Sequence, residues 1–114
     1  MDDVRDIWWT GSSLDDLRDF PDEAKQAFGY QLHRVQSGEM PQDWKPLNGL
    51  GKGITGVYEI RVSVDGDAYR TAYVAKFGDT VAVLHCWQKK TQKTAKPDLE
   101  IIADRYRTAK DELK

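Results

Sequence analysis

The sequence predicts an α+β fold: a mainly antiparallel four-stranded sheet with helices packed on one face and a C-terminal helix, in the order β-α-α-β-β-β-α. Three observations predict it. Residues 57–87 alternate between apolar and polar and are broken only by Asp65-Gly66 and Gly78-Asp79, dipeptides suited to two-residue hairpin turns. Residues 22–38 repeat apolar side chains at helical spacing. A second such segment opens near Pro97 and closes the chain.

Residues 4–9 are short, apolar and aromatic, and read as the first strand. Gly11-Ser12-Ser13 ends it and starts a helix, with Ser12 and Asp15, or Ser13 and Asp16, at capping-box spacing. Pro21 interrupts and opens a longer helix with Asp22 and Glu23 in its first turn, where the helix dipole favours acids. Ala24, Ala27, Phe28, Gln31, Leu32 and Val35 give that helix one largely apolar face, and Gly38 suits its end. Residues 39–53, with two prolines and three glycines, read as a loop. Strands then follow at 57–64, 67–77 and 80–87, and the last helix sets Leu99, Ile102, Ala103, Tyr106 and Leu113 to one side.

Two-residue turns fix the register. Asp65-Gly66 puts Arg61 opposite Arg70; Gly78-Asp79 puts Ala72 opposite His85 and Arg70 opposite Trp87. Directly opposed residues share a face and alternate residues change face. One face therefore collects Tyr58, Ile60, Val62, Tyr69, Thr71, Tyr73, Leu84 and Cys86, a core for the helices. The other collects Glu59, Arg61, Arg70, Ala72, Val74, Val83, His85 and Trp87. Two opposed arginines repel unless an anion lies between them. Glu59 supplies part of that neutralisation and a bound phosphate would supply the rest. Taken singly, the arginine–glutamate pair reads as a solvated ion pair and His85 as a structural strand-end residue. Their convergence on one face is what points to a site.

At 114 residues the chain holds one domain, 1–114. It has no apolar run long enough to span a membrane, its N-terminus is acidic and unlike a signal peptide, and its one cysteine, Cys86, excludes an internal disulfide or multi-cysteine zinc site. A cytoplasmic protein is expected, with no metal and no cofactor. Net charge is −2, but it is unevenly spread: residues 1–44 carry four bases and ten acids, residues 45–114 thirteen and nine. Residues 85–97 hold Lys89, Lys90, Lys93 and Lys96 and no acid. Phosphate binding needs local positive potential, not a basic total. Such a lysine run by itself is most simply a solvated loop.

Two other patterns carry no function. Gly51-Lys52-Gly53-Ile54-Thr55-Gly56 matches G-x-G-x-x-G but follows a loop and opens a strand, where a dinucleotide fingerprint must follow a strand and open a helix. No nucleophile elbow surrounds any serine, so a hydrolytic triad has no support.

Lys45-Pro46-Leu47-Asn48-Gly49-Leu50-Gly51 followed by Val57-Tyr58-Glu59-Ile60-Arg61 resembles the central motif of phage-derived, HigB-like toxins of the RelE/ParE superfamily. Leu84-His85-Cys86-Trp87-Gln88-Lys89-Lys90-Thr91-Gln92-Lys93-Thr94 resembles a second motif of that family: His, two residues, Gln, Lys-Lys-Thr, then Lys-Thr. The resemblance spans residues 8–106. It implies a RelE-like fold and the toxin of a type II toxin–antitoxin system. The implied activity is metal-independent cleavage of messenger RNA, commonly on the ribosome. Its implied partners are mRNA, the ribosome and a cognate antitoxin, often a helix-turn-helix protein encoded downstream. Carried over by position, Arg61 and Arg70 take the strand roles and Lys89 or Lys90 the later cationic role. Trp87 is suited to stacking on a base, and Lys93 and Lys96 to contacting RNA. RelE-type enzymes also use a tyrosine in the last segment. This chain has none between Trp87 and Tyr106, which leaves His85 and Glu59 as acid and base candidates. On the same fold, ParE-type toxins bind DNA gyrase without catalysis, and that is the alternative function.

Overall fold

A computed structural model describes residues 4–113; Asp2 and Asp3 of the acidic N-terminus, and both ends of the 1–114 domain, lie outside the described residues. The elements are β1 (Asp6–Trp9), α1 (Ser13–Arg18), α2 (Asp22–Gln36), β2 (Trp44–Pro46), β3 (Val57–Val64), β4 (Asp67–Phe77), β5 (Thr80–Lys89) and α3 (Lys96–Glu112). They form one five-stranded sheet in the order β1-β5-β4-β3-β2, with β1 parallel to β5 and every other pair antiparallel. The α+β class is as predicted, with one strand more.

The added strand is β2, inside the segment expected to be a loop. Three residues ending in proline carry no readable alternation. Long-range bonds make the strand: the Arg61 N–H donates to the Asp43 carbonyl and the Leu47 N–H to the Val57 carbonyl, each at 2.9 Å. Pro46 is tolerated because β2 is an edge strand. The hairpin turns form as their sequences require. Asp65 (φ 51°) and Gly66 (φ 86°) are both left-handed, as a type I′ turn demands, and Gly78 (φ 65°) opens the second turn.

At α1 the expected capping box is not formed. Ser12 stands at the N-cap without a capping bond. Its Oγ donates to Asp16 Oδ2 at 2.8 Å and accepts from Arg105 Nη2 at 3.1 Å, while the buried Ser13 Oγ donates to the Val83 carbonyl at 3.3 Å. The two serines thus tie α1 to α3 and to the sheet.

The two N-terminal helices share one face of the sheet, as expected, and α3 covers the other. Leu17 of α1 with Phe28, Leu32 and Val35 of α2 pack on Ile60, Tyr69, Tyr73 and Val83. On the opposite face α3 sets Ile102, Ala103, Tyr106 and Ala109 against Ala72, Val74, Ala82 and Leu84. The reason is physical: half of that second face is aliphatic and must itself be covered, and Ala72 and Ala82 are small enough for a helix to approach. Burying a side chain such as Ile102, fully enclosed here, contributes about 2 kcal/mol.

Two irregularities in the β4–β5 pairing, between Ala72/Tyr73 and between Val74/Phe77, explain a correction to the predicted faces. Tyr73 pairs with Val83 and Ala72 with His85, so Leu84 is the unpaired bulge residue. Val83 consequently joins the α1–α2 core and Leu84 the α3 core, the reverse of the predicted faces. The second bulge, on β4, shifts the register back. Arg70 therefore stands opposite Trp87, and Ala72 opposite His85, as the turns predict. Among the described residues no helix is long and apolar enough to cross a membrane.

Candidate active site

The face under α3 is apolar near the β4–β5 turn and charged near the β3–β4 turn. Two rows of directly paired residues cross it: Lys45, Glu59, Ala72 and His85 in one, and Arg61, Arg70 and Trp87 in the next. Lys89, opposite Ala68, lies two positions beyond Trp87 on the same face.

Glu59 is at the centre and is fully buried. Its Oε1 lies 3.3 Å from Arg70 Nε and 3.6 Å from Lys45 Nζ, and Thr94 Oγ1 donates to Oε2 at 3.5 Å. Neither Glu59 Oε1 nor Arg70 Nε has a well-directed hydrogen bond. Arg70 Nη1 donates to the Tyr69 carbonyl at 2.9 Å, which fixes the guanidinium. A buried carboxylate held by charge without good hydrogen bonds adds little net stability, yet removing one partner would leave the other charge buried and uncompensated. Burial, the proximity of Arg61 and the neighbouring Glu59 act in opposing directions on Arg70, and burial prevails, lowering its pKa.

Arg61 is exposed and pairs with Asp43, Nε to Oδ1 at 3.4 Å. Lys89 completes the cluster. Burial draws its ammonium below the usual lysine range; Glu59 opposes this, while Lys45, Arg70 and Arg61 add to it. Four cations, Lys45, Arg61, Arg70 and Lys89, therefore stand with two carboxylates, Glu59 and Asp43. Lys90, Lys93 and Lys96 are exposed along the segment that follows, and Thr94 folds that segment back over Glu59.

His85 stands at the end of its row. Its Nε2 is 2.8 Å from Oδ1 of Asp98, in the first turn of α3, and its ring stacks on Trp87 at 5.0 Å between centroids and 12° between planes. Burial lowers its pKa and outweighs the opposing pull of Asp98. His85 Nδ1 and Trp87 Nε1 are both buried without a partner.

The structure thus brings Glu59, Arg61, Arg70 and Lys89 together and sets His85 and Trp87 beside them, with Lys90, Lys93 and Lys96 on the flanking segment. Two features differ from an open groove. Glu59 is enclosed, and Trp87 is 7% exposed with its ring already stacked, so it offers RNA an edge more readily than a free face. Tyr106 is buried against Phe77 in the far half of α3, with ring centroids 5.3 Å apart, as its helical spacing indicated. Lys45, Asp43 and Asp98 were missed. Lys45 was legible only as part of a family-like motif, because its strand was unreadable; Asp98 reads simply as a first-turn helix acid. Residues 51–56 open β3, as their rejection as a nucleotide fingerprint assumed. Among the described residues no three His, Cys, Asp or Glu side chains are grouped to hold a metal ion.

The sequence profile of the phage-derived Gp49-like proteins matches residues 15–107. The chain belongs to the Gp49-like family. No curated protein matches it. Among solved structures, this Gp49-like chain resembles a chain of the toxin–antitoxin complex RelBE2 from Mycobacterium tuberculosis, with a TM-score of 0.53 and 21% identity over 75% of this chain and 99% of that one. The likeness gives the Gp49-like chain the RelE-like fold expected from its motifs.

Proposed function

We propose that the protein is the toxin of a type II toxin–antitoxin pair and cleaves messenger RNA, on the ribosome, without a metal. One observation carries the reading: four cationic side chains converge with only two carboxylates on a sheet end where Lys45 and Arg61 are over 40% exposed. An RNA phosphate supplies the negative charge such a cluster lacks. Membership of the Gp49-like family and the RelE-like fold support the same reading.

In the proposed reaction Arg61, Arg70 and Lys45 hold the scissile phosphate and stabilise the charge that grows on its oxygens. The ribose 2′-oxygen attacks phosphorus and its proton passes to His85. The bond to the 5′-oxygen breaks, and that oxygen takes a proton from Lys89, whose lowered affinity for a proton suits an acid. The products are a 2′,3′-cyclic phosphate and a free 5′-hydroxyl. Glu59 keeps the cations gathered before RNA arrives. Trp87, Lys90, Lys93 and Lys96 line the path of the strand. An antitoxin would neutralise the cluster by covering it with acidic groups or by blocking access to the ribosome.

The test is inducible expression with and without the neighbouring gene, followed by mapping of RNA 5′-ends. Growth arrest with new mRNA ends, relieved by the neighbour, is expected. Arrest with intact mRNA and altered DNA supercoiling would replace this reading with the gyrase-binding one.

A further inference from the structure

Asp98 takes no part in the scheme above, yet it makes the closest contact of any charged group to His85. It belongs to α3, thirteen residues beyond His85, and stands in the helix's first turn, where the dipole favours negative charge. An ionised carboxylate can only accept, so at 2.8 Å the proton of this bond must sit on His85 Nε2. The neutral ring then carries its lone pair on Nδ1, the atom left without a partner. A buried acceptor with no donor is a cost the fold does not need for its own stability. Trp87 stacks flat against the ring, so the ring is held at one edge by Asp98 and across one face by the indole. His85 also borders a cleft of about 390 Å³ on the α1 side of its strand, shared with Asp16, Tyr69, Trp87 and Gln88, while Nδ1 itself is buried.

We infer that Asp98 is a positioning residue: by accepting the Nε2 proton it sets the tautomer and orientation of His85, making Nδ1 the atom that takes the 2′-hydroxyl proton. This rests on the nuclease reading and deepens it. In the step itself the proton leaves O2′ for Nδ1, the freed electron pair forms the O2′–phosphorus bond, and the phosphorus–O5′ pair leaves with O5′. The imidazolium so formed keeps its Nε2–H on Asp98, whose charge stabilises it. The same orienting logic operates in serine protease triads. The charged groups facing the ring are Asp98 and Arg105 from α3 and Asp16 from α1; Asp98 and Asp16 favour the protonated ring and Arg105 opposes it.

The experiment combines nitrogen-15 NMR of His85 with single-turnover cleavage of a model mRNA on ribosomes by wild type, Asp98→Asn, Asp98→Glu and His85→Ala, each checked by a thermal melt. The wild type should show an Nε2-protonated neutral ring. Asp98→Asn, which can donate as well as accept, should mix the tautomers and slow cleavage about a hundredfold, the scale of a lost proton transfer, with RNA affinity within twofold. Asp98→Glu should restore part of the rate. An Nδ1-protonated ring in the wild type, or wild-type cleavage by folded His85→Ala or Asp98→Asn, overturns the role of Asp98 and leaves the nuclease reading standing. If Asp98→Asn does not fold, the wild-type tautomer and the His85→Ala rate decide. Absence of cleavage by the wild type overturns the nuclease reading, and this inference with it.

Discussion

Arg61 and Arg70 stand directly opposite each other across β3 and β4, and each has its own carboxylate: Asp43 for Arg61 at 3.4 Å, Glu59 for Arg70 at 3.3 Å. The pairs differ in surroundings. Arg61 and Asp43 are open to solvent, whereas Glu59 is enclosed and the Arg70 side chain is 11% exposed. The two arginines therefore separate binding from stability. Removal of Arg61 should spare the fold, whereas removal of Arg70 should not.

Arg61→Ala should leave stability within about 0.5 kcal/mol of wild type, the usual range for surface positions, and should abolish toxicity. Arg70→Ala leaves Glu59 buried with a weaker partner and should cost about 3 kcal/mol, as removing one member of a buried pair does. Replacing both members, Arg70→Met with Glu59→Gln, should recover most of that loss. Urea melts of the three variants decide; an Arg70→Ala protein as stable as wild type would refute the buried pair.

On the proposed function, RNA affinity should fall steeply with salt, because RNA held by the cluster would displace counterions. Lys45→Ala and Lys89→Ala should each flatten the plot of log affinity against log salt by about 0.7, the share of one contact to a single strand. Binding to a short single-stranded RNA at four salt concentrations measures it. An unchanged slope in both variants places the phosphates elsewhere.

Stability should decline as pH falls below about 6.5, the ordinary histidine value. The sign follows from burial: the His85 pKa is lower folded than unfolded, so in acid the unfolded chain binds the extra proton and is favoured. His85→Gln should reduce that decline between pH 7.5 and pH 5.5. Equal pH dependence in the two proteins would show that His85 is not held neutral.

Gly11→Ala should destabilise the protein by about 1 kcal/mol or more. Gly11 has φ 51°, and an added Cβ would lie 2.7 Å from Arg105 Nε. That guanidinium donates to the Leu84 carbonyl at 2.9 Å and to Ser12 Oγ at 3.1 Å, joining α3 to the bulge and to α1. Thermal melts should show the loss, and Arg105→Ala should produce a similar one. A Gly11→Ala melt equal to wild type would mean the contact yields without cost.

What the sequence determined by itself is local. Asp65-Gly66 requires left-handed backbone and Gly78-Asp79 a reversed turn, and a two-residue turn leaves one register for its strands. Arg61 against Arg70, Arg70 against Trp87 and Ala72 against His85 followed from four turn residues and the two-residue period. Even so, the β4–β5 register held at the site because two bulges, one on each strand, offset each other. Nothing in the spacing of apolar residues marks either bulge, and between them Val83 and Leu84 exchange faces. The tertiary structure alone decided the rest. β2 exists because residues 43–47 find β3, which brings Lys45 to Glu59; α3 covers the second face because Ala72, Val74 and Leu84 need cover. That docking carries Asp98 to His85. These contacts join residues up to tens of positions apart, and their gain comes from burial and from charges meeting in space, quantities that neither turn chemistry nor periodicity encodes.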